Sequence, residues 1–80
     1  MSNRQVVELY GWNEGFQTID MMKLLRDRAA MQLGDALALV NRILDGAVEK
    51  LSFSSPGDAE AFVRDAVLIG ARARLEGRDE

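Results

Sequence analysis

Along this chain the spacing of apolar residues switches repeatedly between a period of two and a period of about 3.6, and that switching restricts the fold to a mixture of strands and helices. From Gln5 to Tyr10 the sequence Gln-Val-Val-Glu-Leu-Tyr sets Val7 and Leu9 against Val6, Glu8 and Tyr10, the pattern of a half-buried strand. Gly11 to Gly15 ends it with turn residues at both ends. A helical pattern then runs from Thr18 to Met31, with Met21, Leu24 and Leu25 as its core stripe. Thr18 is expected to cap this helix, and Asp20 suits its positive end. The pattern slips at Ala30 to Gln32, which implies a bend.

A second helix is expected from about Leu33 to Asp45, where Leu33, Leu37, Val40 and Leu44 recur at i, i+4, i+7 and i+11. Ala36 and Ile43 widen this stripe and Leu39 lies toward its edge. Gly46 is placed to close the helix in a left-handed conformation. Val48 to Ser54 alternates again, with Leu51 and Phe53 inward and Lys50 and Ser52 outward. Ser55-Pro56-Gly57-Asp58 carries a cap, a proline in the first turn and an acid at the positive end, a strong start signal for a third helix. That helix turns Ala59, Phe62, Val63, Ala66 and Ile69 inward and stops at Gly70. Ala71 to Glu76 alternates as a third strand, small residues inward and charges outward, and Gly77 to Glu80 is expected to fray. The reading is an α+β two-layer sandwich of order β-α-α-β-α-β. Three helices cover one face of a three-stranded sheet, in a single domain spanning residues 1–80 with an ordered core of about 4–76.

Composition removes several functional classes. A chain of 80 residues buries only about 60–65% of its unfolded surface, so nearly all its large apolar residues are needed in the core. A net charge of −3 provides no basic field for nucleic acid. The absence of cysteine excludes disulfides and thiolate metal sites, and the absence of histidine removes the commonest general base and metal ligand. No carboxylate pair is forced together by spacing, so neither an enzyme nor a cofactor or metal site is expected. The longest apolar run, Ala36 to Val40, is too short for a membrane span, and residues 1–20 lack the apolar centre of a signal peptide. The expectation is a cytoplasmic protein that binds neither membrane nor nucleic acid.

What remains is a surface. At about 100° per residue, Ile19, Met22, Lys23 and Arg26 share one outward quadrant of the first helix, two apolar side chains edged by two cations. Trp12, in its glycine-bounded loop, is a second candidate contact, since tryptophan anchors many interfaces. The alternative is a homodimer, built on Val6 and Tyr10 of the open sheet face or on Leu39 with the Met22 patch.

The order and spacings resemble the C-terminal domain of the bacterial large-subunit ribosomal stalk protein. The resemblance covers about residues 16–75. It rests on Ile19-Asp-Met-Met-Lys-Leu-Leu-Arg26, on Met31-Gln-Leu-Gly-Asp-Ala-Leu-Ala-Leu-Val40, and on Asp58-Ala-Glu-Ala-Phe-Val63 ahead of Gly70. It implies that the first helix and the bend recruit a translational GTPase or another ribosome-associated factor. Ile19, Met22, Lys23 and Arg26 would match apolar and basic contact positions. The chain departs from that family at Thr18, Gly34 and Leu37, where the family carries basic residues, and at the bend Ala30-Met31-Gln32, where it carries glycines. With the first strand so close to Met1, a stand-alone relative is expected, lacking the stalk's dimerisation domain and hinge. The chain also resembles the Clp protease adaptor, which has the same element order and binds peptide N-termini. That likeness would place an acidic amine-binding loop at Asn13 and Glu14, without the histidine that family uses.

Overall fold

The computed structural model describes residues 5–76. Its elements are β1 (Gln5–Trp12), α1 (Thr18–Arg28), α2 (Leu33–Leu44), β2 (Glu49–Phe53), α3 (Pro56–Leu68) and β3 (Ala71–Leu75). The strands form one antiparallel sheet in the order β2-β1-β3. This is the expected α+β sandwich, and no helix in it is long and apolar enough to cross a membrane. The expected tail at 77–80 lies outside the described residues.

The core forms where the two periods meet. Val7, Leu9, Phe53, Ala71 and Ala73 point from the sheet toward Met21 and Leu25 of α1, Ala36, Leu39, Val40 and Ile43 of α2, and Ala59, Phe62 and Ala66 of α3. Leu24, Leu51, Val63 and Ile69 are half-buried at its margin. The alanines of β3 and α3 allow that helix to lie close against the strand, and Phe62 fills the space beside Phe53, with ring centroids 5.2 Å apart.

The chain's local signals explain its turns. Ser55 Oγ accepts from the Asp58 N–H at 3.5 Å ahead of Pro56, as the start signal implied. At the end of α2, Gly46 has φ 97°, its N–H donates to Ile43 C=O at 3.0 Å, and the Ala47 N–H donates to Arg42 C=O at 2.9 Å. This pair of bonds satisfies carbonyls that the helix end would otherwise leave free.

Three expectations are corrected. Thr18 does not cap α1. Gln17 holds the cap position without a side-chain bond, and its own N–H donates to Ile69 C=O at 2.9 Å. That tie to the α3–β3 turn sets the first helical turn one residue early. Next, β1 continues through Gly11 to Trp12, because a bulge at Tyr10 shifts the register between Leu9↔Ala73 and Gly11↔Arg72 and lets pairing resume. Finally, α2 is rotated from the expected orientation. Leu39 is buried, while Leu33, Leu37 and Leu44 are 53%, 47% and 37% exposed. Two stripes with helical spacing share Val40, and the helix buries Ala36-Leu39-Val40-Ile43. Ala36 permits close approach, and the opposite flank holds Arg42 in a paired contact with Glu49 of β2, at 2.9 and 3.1 Å.

The bend after α1 contains one costly residue. Ala30 has φ 56°, a left-handed conformation that a Cβ penalises by roughly 1–2 kcal/mol. Ala30→Gly is expected to raise stability by about 0.5–1 kcal/mol, since relief of that strain exceeds the added entropy of the unfolded chain. Urea denaturation checks this, and an unchanged or lower midpoint would refute it.

Candidate protein-docking surface

Helix α1 is built to be held on one side and free on the other. Asp20 in its first turn and Arg26 and Arg28 in its last complement the helix dipole. Met21 and Leu25 are fully buried, and Arg28 reaches Asp65 of α3 at 3.4 Å. On the free side Ile19 is 63% exposed, with Lys23 and Arg26 exposed beside it. Three of the four expected contact residues therefore face outward. Met22 does not fully join them. It is half-buried and packs against the core, because its arc borders the buried one and its flexible thioether chain reaches inward.

Helix α1 holds two of the four cations that form no ion pair among the described residues, the others being Arg64 and Arg72 on separate elements. Arg28, Arg42, Lys50 and Arg74 each have a carboxylate within 2.7–3.4 Å, whereas Lys23 and Arg26 form no ion pair among the described residues. Two cations one turn apart, neither ion-paired among the described residues, thus border the exposed Ile19. The apolar strip left over on α2 adds to the exposed area. Leu33, Leu37 and Leu44 lie within roughly 40° of arc on a helix that packs against α1. The sequence reading missed this strip because it assigned the same leucines to the core.

Trp12 is placed elsewhere. It lies on the sheet at the end of β1, opposite Ala71, partly exposed and tilted against Phe16 with ring centroids 6.4 Å apart. Phe16 in turn packs on the core.

Of the residues considered for self-association, one is buried and two lie among charges. Leu39 is 2% exposed and unavailable to a second copy. On the open sheet face, Arg74 Nε donates to Glu8 Oε1 at 2.7 Å and its guanidinium lies 4.7 Å from the centre of the Tyr10 ring. The bond to Glu8 also raises the Arg74 pKa above its ordinary value. Lys50 pairs with Glu76 at 3.3 Å on the same sheet, so Val6 and Tyr10 sit among ion pairs rather than in an apolar patch. At the loop that the likeness to the Clp protease adaptor would make an amine site, Asn13 Oδ1 accepts from Arg72 Nε at 2.7 Å.

Compared with protein-family models, curated proteins and solved structures, the chain gives no match.

Proposed function

We propose that this chain is a non-catalytic protein-interaction module that docks an acidic protein partner on the outer face of α1. The observation that carries this reading is the exposed Ile19 bordered by Lys23 and Arg26, two cations without ion-pair partners among the described residues. Covering the exposed part of Ile19 supplies about 1–2 kcal/mol of apolar burial. The two cations add orientation and encounter rate toward acidic surface more than affinity.

One helix face is too small alone. A stable interface removes about 1,200–2,000 Å² from water, so the partner also covers neighbouring surface, for which Leu33 and Leu37 of α2 are the apolar supply. The resemblance to the ribosomal stalk domain makes a translational GTPase the first partner to test, and the module an adaptor of that kind.

The test is titration of a translational GTPase into the wild type and an Ile19→Glu/Lys23→Glu variant. Met22 is left intact because it contributes to packing. Binding is expected to weaken at least about tenfold in the variant, with an unchanged circular dichroism spectrum, since both replaced residues are exposed. Equal affinity for both proteins would remove the α1 face from the reading, and no binding by the wild type would remove this partner. Sedimentation at micromolar concentration is expected to show a monomer. A dimer dispersed by Leu37→Glu would transfer the surface to self-association.

A further inference from the structure

We propose that the outer edge of β3 binds an extended acidic peptide segment by strand addition, independently of α1. Among the described residues β3 pairs only with β1, so one side of its backbone has no strand partner there. The ladder shows which residues face that way. Glu76 N–H donates to Val6 C=O at 2.8 Å and Asn13 N–H donates to Gly70 C=O at 2.8 Å, so Arg74 and Arg72 direct their backbone groups toward β1. By alternation, Ala71, Ala73 and Leu75 direct theirs outward.

A shallow cleft of about 340 Å³ lies at this edge, lined by Tyr10, Asn13, Val67, Ala71, Arg72 and Ala73. Val67 of α3 is half-exposed there and offers apolar cover on the helix side. Arg72 stands on the open side, bonded through Nε to the neutral amide of Asn13 and to no carboxylate among the described residues. An incoming strand alternates its side chains across these two sides. The residue opposite Arg72 meets a guanidinium, and its neighbours meet Val67. Charge complementarity therefore selects an acidic residue between apolar ones.

The same charges exclude a second copy of this strand. Antiparallel self-pairing centred on Ala73 sets Arg72 directly opposite Arg74 of the other copy, twice, and like charges in cross-strand pairs are destabilising. An acidic strand converts that repulsion into attraction.

The probe is a fluorescein-labelled Ser-Val-Glu-Val-Glu-Val-Ser peptide titrated into the full chain, with amide chemical shifts read in parallel. Saturable binding is expected, with the largest shifts in β3. Affinity should fall at least about tenfold for the Lys-for-Glu peptide, for the peptide N-methylated along its bonding edge, and for Arg72→Glu. Arg72→Glu should also prefer the lysine peptide, a reversal that misfolding cannot mimic. No saturation at millimolar peptide, equal binding of the N-methylated peptide, or shifts centred on α1 would each overturn the proposal. Loss of GTPase binding with peptide binding intact would bear on α1 alone.

Discussion

Gly70→Ala is expected to destabilise the domain by about 3 kcal/mol, which for a chain of this length lowers the melting temperature by roughly 15–20 °C. Two causes add. Gly70 has φ 98°, where an alanine costs about 1 kcal/mol. Its Cβ would also lie 2.7 Å from Phe16 Cα and 3.0 Å from Phe16 N. Those are backbone atoms, held by the Asn13–Gly70 and Gln17–Ile69 hydrogen bonds, so no rotamer change relieves the overlap. Gly46 provides the control. Its φ is 97° and nothing lies within 4 Å of where its Cβ would be. Gly46→Ala should therefore cost only the conformational part, about 1 kcal/mol. Thermal melts of the two variants separate strain from steric overlap. Equal losses would show that the loop before α1 yields freely.

Phe62→Ala is expected to cost about 3–5 kcal/mol, comparable to the whole stability of a small domain. Phe62 is fully buried, is the largest side chain in the core to be so, and packs against Phe53 across the helix–sheet interface. Its neighbours on α3 and β3 are alanines, whose short side chains cannot move in to fill the void. A folded variant losing less than about 2 kcal/mol in urea denaturation would mean that the two layers collapse onto one another. Phe62→Leu should recover much of the loss.

Apart from the cap of α1 and the end of β1, the strands and helix ends were legible because each depends on a few adjacent residues. Ala71 to Leu75 alternates without interruption, Ser55-Pro56 starts α3 and Gly70 closes it, and Gly46 closes α2. The rotation of α2 was not legible. Ala36, Leu37, Leu39, Val40 and Leu44 support two overlapping stripes, and only the sheet beneath decides which one is covered. The bulge at Tyr10 was hidden for a similar reason, since resumption of pairing beyond Gly11 depends on a partner strand far along the chain. On α1 the helical wheel located Ile19, Lys23 and Arg26 but overstated Met22, whose flexible side chain bends toward the core from a shoulder position. The cleft beside β3 required the strand order itself, which no local pattern encodes.

That strand order has a consequence for synthesis. β1 precedes the other described elements and is the central strand of the sheet, and both of its partners come later. When α1 and α2 have emerged from the ribosome, Val7 and Leu9 still lack strand neighbours on either side. β2 supplies one edge, and the second awaits β3, nearly a full chain length behind its partner. A nascent chain of this sequence thus carries its central strand unpaired until β2 is made, and with one edge open until β3 follows. It becomes a closed two-layer domain only when the last described strand is released.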